Sequence, residues 1–337
     1  MRILTALAIL IVTASAGANA NPDYWKSEGW KTDFSKSAVD FSEIMSGGPP
    51  RDGIPPIDDP QFVPVAEAAL AAPEPVIALK VGDDARAYPL SVLIWHEIAN
   101  DTIGGMPVAV TYCPLCDSAI VFDRRVDGRT LRFGTTGKLR NSDLVMWDAA
   151  TESWWQQFTG RGIVGAYTDR ELRMLPSRVE SFQRFKDRYP NGKVLVPNDE
   201  NMRAYGTNPY VGYDEAAWPF LYRGESPEGV FPLARVVKVG DRAWSLQLLR
   251  KQRRIEADDG TVLTWEYGQA TALNERVIAE ATDIGNVVVQ RNGEDVVHDV
   301  TFMFAFHAFV PEGPIYIECA VGAAKPKPPI VCYQAAG

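Results

Sequence analysis

The sequence predicts an α+β protein that is rich in β-structure, with a few short helices and two related β-rich units. Short runs of β-branched and aromatic residues, separated by turns containing Gly and Asp, recur through most of the 337 residues. A weak internal repeat indicates the two units, because KVGDDARAYPL at residues 80–90 is echoed by KVGDRAWSL at residues 238–246. The second copy lacks the cysteines that follow the first copy. We therefore expect the second unit to be a degenerate scaffold partner of the first.

The order of segments along the chain predicts four regions. Residues 1–20 carry one positive charge at Arg2, a short apolar run and an Ala-Asn-Ala ending, which is typical of a signal peptide cleaved near Ala20. Residues 21–70 are rich in Pro and Gly and predict an extended arm, residues 71–225 the first unit, and residues 226–337 the second. We therefore expect a periplasmic or secreted protein, and no later apolar run is long enough to predict a membrane span.

The charge balance limits the class of partner. With 34 basic and 43 acidic residues the formal net charge is −9, which argues against nucleic acid or anionic lipid as a partner. No Gly-rich phosphate loop occurs, so no nucleotide cofactor is predicted. A small molecule or another exported protein is the expected partner.

The local patterns predict the individual elements in turn. Residues 74–90 read as strand, turn and strand, and the apolar spacing of residues 90–101 predicts a short helix that carries His96. Strands are predicted at residues 106–112 and 118–134 and in the Trp-rich stretch that follows. A later helix is predicted to begin at Ser177 and to end before Pro190.

The Cys113-Pro114-Leu115-Cys116 motif stands between two β-prone runs and permits three interpretations. As a metal site, Cys113, Cys116 and His96 would be ligands of copper or zinc. As a thiol–disulfide oxidoreductase, Cys113 would be the nucleophile and Cys116 the resolving thiol. As a binding module without catalysis, the protein would use the pair only structurally, and whether it is an enzyme is left open.

Polar residues near the motif are candidates for supporting roles. Glu97 or Asn100 could orient His96 by a hydrogen bond. The run Arg140, Asn141, Ser142 and Asp143 could surround the ligands or contact a substrate, or form a self-hydrogen-bonded turn.

The two remaining cysteines lie close together near the C-terminus. Cys319 and Cys332 are predicted to form a structural disulfide, because an exported protein meets an oxidising environment.

Three blocks of the sequence resemble a known family. WHEIANDTIGGMPVAVTYCPLCDSAIVFDR, FGTTGKLRNSDLVMWDAATESWWQQ and RDGIPPIDDPQF are similar to signature blocks of the bacterial exported proteins called domain of unknown function 3179. The resemblance extends from about residue 45 to the aromatic block at residues 302–311 and implies no particular activity. This chain has Val310 where family members usually have a histidine before the proline, which argues against a ligand role for the nearby His307.

Overall fold

A computed structural model describes residues 20–320 and 326–334 of the chain. Within these residues the fold is rich in β-structure, with several sheets and only short helices, which confirms the predicted class. The predicted signal peptide lies outside the described residues except for Ala20. In the part of the chain that is described, no helix has the length and apolar character needed to cross a bilayer.

The helices are α1 (Pro22–Ser27), α2 (Leu90–Leu93), α3 (Phe182–Arg188), α4 (Leu246–Gln252) and α5 (Met303–Phe309). The strands are β1 (Ile44–Ser46), β2 (Gln61–Pro64), β3 (Pro75–Val81), β4 (Asp84–Pro89), β5 (Ile98–Ile103), β6 (Met106–Cys113), β7 (Ser118–Asp123), β8 (Arg125–Val126), β9 (Arg129–Thr130), β10 (Phe133–Arg140), β11 (Asp143–Asp148), β12 (Trp154–Gln156), β13 (Gly162–Val164), β14 (Met174–Leu175), β15 (Arg178–Ser181), β16 (Lys193–Val196), β17 (Arg235–Val239), β18 (Arg242–Ser245), β19 (Arg254–Glu256), β20 (Thr261–Glu266), β21 (Asn286–Arg291), β22 (Glu294–Asp295), β23 (Asp299–Phe302), β24 (Ile315–Ile317) and β25 (Ile330–Cys332).

Two five-stranded sheets share one arrangement of four strands and differ in the fifth, because β2 is antiparallel to β16 whereas β25 is parallel to β24. Their strand orders are β15-β3-β4-β16-β2 and β23-β17-β18-β24-β25. In each sheet a hairpin continues into a short helix, and a later strand–helix–strand segment adds one antiparallel and one parallel neighbour to that hairpin. An antiparallel meander, β5–β7 or β19–β21, is inserted between these parts in both cases. The correspondence is what the internal repeat predicts, although a duplication itself stays a prediction.

The two matching hairpins turn at equivalent glycines. Gly82 has φ 58° and Gly240 has φ 60°, a left-handed conformation that residues with a Cβ adopt with strain. The Lys-Val-Gly-Asp sequence therefore specifies the same tight turn in both hairpins.

Both predicted helices begin or end differently in the structure. α2 ends at Leu93, so His96 lies in the turn after the helix rather than on it. The chain leaves the helix because Glu97 adopts φ 60° and because Ile98 and Asn100 hydrogen-bond with Ile57 of the arm. The second predicted helix begins at Phe182, not after Ser177, because residues 178–181 pair with β3 as a strand.

The arm and both units pack onto shared cores. β1 pairs with β10 and β2 pairs with β16, while Trp25 packs against Trp154 with ring centroids 4.8 Å apart. The largest apolar cluster contains Val110 of the first unit together with Phe302 and Phe306 of the second. The arm is thus anchored along its length, and β6, β7, β17 and β23 are brought together around one core.

Candidate metal site

The tight turn between β6 and β7 brings the two cysteines of the CPLC motif together. Cys113 pairs with Ser118 across the hairpin, and the backbone N–H of Cys116 donates to the Cys113 carbonyl at 3.3 Å. Both thiols are buried and neither is in a disulfide. Their sulfur atoms and one carboxylate oxygen of Asp143 all lie within 4.8 Å of one another.

Asp143 offers a free oxygen to this group. It begins β11 and is fully buried. Its Oδ2 accepts hydrogen bonds from Gln156 Nε2 at 2.6 Å and from the Phe158 N–H at 2.9 Å. Its Oδ1 is buried and has no hydrogen-bond partner among the described residues. The Cys113 thiol is the hydrogen-bonding neighbour of this carboxyl, and a thiol is a weak donor. Buried polar atoms are nearly always satisfied, so Oδ1 indicates that a stronger partner is missing.

Burial opposes ionisation of all these groups. It raises the pKa of the Cys113 and Cys116 thiols, that of Cys116 well above its usual range. It also raises the pKa of Asp143 to about 7, and that of Glu97 to about 8 with a smaller contribution from the charge of Asp143. A cation placed between the sulfurs and the carboxylate would reverse these shifts, because an adjacent positive charge favours the ionised forms.

The second unit fixes the geometry of the turn. The Cys116 carbonyl accepts hydrogen bonds from Thr301 Oγ1 at 2.7 Å and from the Phe302 N–H at 3.0 Å. Asp117, which has φ 49°, is held by Arg235 Nε at 2.6 Å. These contacts come from β17 and β23, more than 110 residues further along the chain. Local sequence patterns gave no signal for them.

Asp299 extends this support to the start of β7. Its carboxylate accepts hydrogen bonds from Ser118 Oγ at 2.6 Å and from the Ala119 N–H at 3.0 Å. On the neighbouring strand β17, Asp299 is paired with Lys238. The second unit therefore binds three consecutive residues after the motif, Asp117, Ser118 and Ala119.

His96 does not join the group of potential ligands. Its Nδ1 lies 2.7 Å from the Pro55 carbonyl and its Nε2 lies 2.7 Å from Tyr205 Oη, so both ring nitrogens are engaged. Burial also lowers the pKa of His96, which favours the neutral ring. The structure thus places Asp143, and not His96, beside the two thiols. His96 instead links the arm to the segment formed by residues 197–234.

Asn100 is engaged away from His96. Its Nδ2 donates to the Phe133 carbonyl at 2.8 Å and to Asp58 Oδ1 at 3.0 Å, and its Oδ1 accepts from the Phe133 N–H at 2.9 Å. It joins the arm and β10 to β5, and it does not orient His96.

The polar run at residues 140–143 forms the turn of the β10–β11 hairpin. Asn141 and Ser142 occupy the two turn positions with φ 52° and 66°, as primed two-residue turns require. Ser142 Oγ donates to the Phe220 carbonyl, and the Ser142 carbonyl lies 3.8 Å from Cys113 Sγ. Arg140 approaches the site through Gln156, whose Oε1 lies 3.3 Å from the Arg140 guanidinium. The turn therefore places Asp143 at the start of β11, and its own residues also contact the groups around Asp143.

A cavity of about 280 Å³ opens beside the group. Glu97, Leu115 and Leu144 line it, and so do aromatic residues of residues 197–234, a segment without strands that sequence reasoning did not single out. Tyr213 Oη of this segment donates to the Leu115 carbonyl inside the CPLC motif at 3.0 Å. The abundance of aromatic residues in an otherwise loop-like stretch was the available signal.

The arrangement lacks what activates a nucleophilic thiol. Cys113 ends a strand and is followed by a turn, so no helix N-terminus stabilises its thiolate. Burial raises the pKa of both thiols, which also disfavours the thiolate that such a nucleophile requires. The geometry supports ligation by these cysteines better than thiol–disulfide exchange.

The predicted C-terminal disulfide is confirmed. Cys319 and Cys332 are bonded, and the bridge fastens β25 beside β24.

Comparison with known proteins gives a family but no function. Residues 51–313 match a protein family described as "Protein of unknown function (DUF3179)". No curated protein and no solved structure matches the chain. The matched range includes both cysteines, Asp143, Glu97 and the supporting residues of β17 and β23.

Proposed function

The chain belongs to the DUF3179 family of proteins of unknown function, and we propose that it binds one transition-metal ion, zinc in preference to copper, through Cys113, Cys116 and Asp143. The observation that carries the proposal is the buried carboxyl of Asp143, which has one oxygen within 4.8 Å of two free thiols and an Oδ1 without a conventional hydrogen-bond partner. Burying a carboxylate oxygen without a conventional partner beside two thiols is costly, and a bound cation would offset that cost.

The spacing of the ligand atoms fits a tetrahedral ion. With Zn–S bonds of about 2.3 Å, two sulfurs of a tetrahedral site lie about 3.8 Å apart. Atoms already within 4.8 Å of one another need only small side-chain adjustments to reach such a geometry. The rigid turn, braced by the second unit, holds Cys116 in place for this.

The mixed donor set favours zinc. Zinc accepts thiolate and carboxylate ligands together, whereas Cu(I) is selected by soft sulfur ligands. Three protein ligands also leave a fourth position, as in catalytic zinc sites where water or substrate completes the coordination. Glu97 is the acid that lines the adjacent cavity, and it could exchange a proton with a group bound there.

An exported location is part of the proposal. The signal-peptide pattern at residues 1–20 and the Cys319–Cys332 disulfide both suit an oxidising compartment. In such a compartment a bound ion would keep Cys113 and Cys116 reduced. Fractionation of cells that express the full chain tests this part, and recovery in the cytoplasm would contradict it.

The main experiment is elemental analysis of protein isolated from the periplasm without chelators. We expect about one equivalent of zinc in the wild type and loss of zinc in Cys113→Ser and in Asp143→Asn. Asp148→Asn is the matched control, because Asp148 is equally buried on β11 but is occupied by the Thr151 N–H and Trp155 Nε1. A wild type that neither carries zinc nor takes it up, or full zinc retention in both ligand variants, would overturn the proposal.

A further inference from the structure

The cavity beside the candidate metal site has apolar and aromatic walls. On one side lie Leu139 and Leu144 of the β10–β11 hairpin, and on the other Tyr210, Tyr213 and Phe220. A volume of about 280 Å³ is at the lower limit of ordinary small-molecule pockets. The walls would therefore bind the apolar body of a small ligand.

No free positive charge faces this cavity in the described residues. Lys138 is the only basic residue that lines it, and its Nζ is paired with Glu28 Oε2 at 2.7 Å and lies over the Trp154 ring at 5.9 Å. An anionic ligand would meet apolar walls and an acid without a compensating protein cation. Burying a charge in such surroundings is unfavourable.

Glu97 supplies an unsatisfied polar group at the cavity. Its side chain is 8% exposed and lines the cavity, and its carboxyl makes no hydrogen bond to any described residue. Its backbone has φ 60°, a conformation that costs free energy in a residue with a Cβ and is common at functional sites. The strained turn between α2 and β5 thus holds a buried carboxyl at the cavity wall with no protein partner.

We propose that this cavity binds a small, uncharged organic molecule whose apolar body lies among Leu139, Tyr213 and Phe220 and whose amide, carbonyl or hydroxyl head hydrogen-bonds to Glu97. The inference rests on the proposed function in one respect: the same head group would lie beside the bound ion. Two thiolates and one carboxylate outweigh the charge of a divalent ion, so the occupied site would not attract an anion, and the apolar walls disfavour burial of a charged head group of either sign. The uncharged class is therefore favoured.

The experiment compares three fluorinated probes of nearly equal shape: 4-fluorobenzamide, 4-fluorobenzoate and 4-fluorobenzylamine. Binding to the full-length mature protein is followed by fluorine NMR, and zinc is measured in the same samples. We expect the benzamide to bind at least tenfold more tightly than either charged probe. Leu139→Trp, which fills the cavity, should abolish this binding, whereas Val211→Trp adds the same side chain to an exposed position that does not line the cavity.

A second variant guards against misfolding of Leu139→Trp. Phe220 is 51% exposed, so Phe220→Ala should keep the fold and still weaken benzamide binding several-fold. If zinc is bound but the benzamide shows no preference, the ligand class is wrong and the proposed function stands. If the preference is found without zinc, the ligand class stands and the proposed metal function is wrong. Equal binding by wild type and Leu139→Trp would overturn the cavity assignment.

Discussion

Thr301 donates a hydrogen bond of 2.7 Å from its Oγ1 to the carbonyl oxygen of Cys116, 185 residues earlier in the chain. Through this bond a strand of the second β-rich unit holds the turn that carries the thiols of the first. The second unit has no counterpart of the CPLC motif, yet it contributes to the geometry of the site.

Thr301→Val should weaken zinc binding with little loss of stability. The substitution removes the hydroxyl and keeps the shape of the side chain, while the Cys116 carbonyl retains its bond from the Phe302 N–H. We expect a loss of about 1 kcal/mol in the free energy of unfolding and a drop in zinc affinity of about tenfold, as for other residues that orient ligands. Competition with a chromophoric chelator measures the affinity. Thr301→Ser keeps the hydroxyl and should bind zinc like the wild type, and equal affinities in all three proteins would contradict the positioning role.

His96→Phe should loosen the segment at residues 197–234 and leave zinc in place. The variant keeps a planar ring against Tyr205 but loses the contacts to Tyr205 Oη and the Pro55 carbonyl, worth about 1 kcal/mol each. We expect faster trypsin cleavage after Arg203 and Arg223, with the zinc content unchanged. Tyr205→Phe removes the same bond from its other end, so the double variant should add little to His96→Phe. Zinc loss from a folded His96→Phe would instead make His96 a ligand.

The sequence predicted those features that depend on local spacing. The CPLC pair lies in a strand–turn–strand, and Asp143 belongs to the polar run that was proposed to support the site. The choice of Asp143 over His96 beside the sulfurs could not be predicted, because it depends on how the β10–β11 hairpin packs against the β6–β7 turn. The end of α2 at Leu93 could not be predicted either, because it depends on hydrogen bonds of the following residues to Ile57 of the arm.

Removing the C-terminal disulfide should lower stability without touching the metal site. The double variant Cys319→Ser/Cys332→Ser opens a loop with a sequence separation of 13 residues, for which we expect a loss of about 2–3 kcal/mol in the free energy of unfolding. Urea titration measures this loss, and zinc analysis should give the wild-type value. Alkylation of the denatured wild type should find two free thiols, those of Cys113 and Cys116. Loss of zinc from the folded double variant would show that these distant cysteines affect the site.

The pH dependence of stability provides a test of the environment of Glu97 in metal-free protein. Burial raises the pKa of Glu97 from 4.5 to about 8, so between these pH values the folded protein keeps a proton that the unfolded chain releases. The folded state then binds more protons than the unfolded state, and the free energy of unfolding falls as the pH rises through this window.

Glu97→Gln has no such proton to lose, so its stability relative to the wild type should increase with pH up to about 8. Urea titrations of chelator-treated protein across this range measure the difference, in which contributions from groups common to both proteins largely cancel. A difference between Glu97→Gln and the wild type that stays constant across this pH range would contradict a buried, proton-bearing carboxyl at the cavity wall.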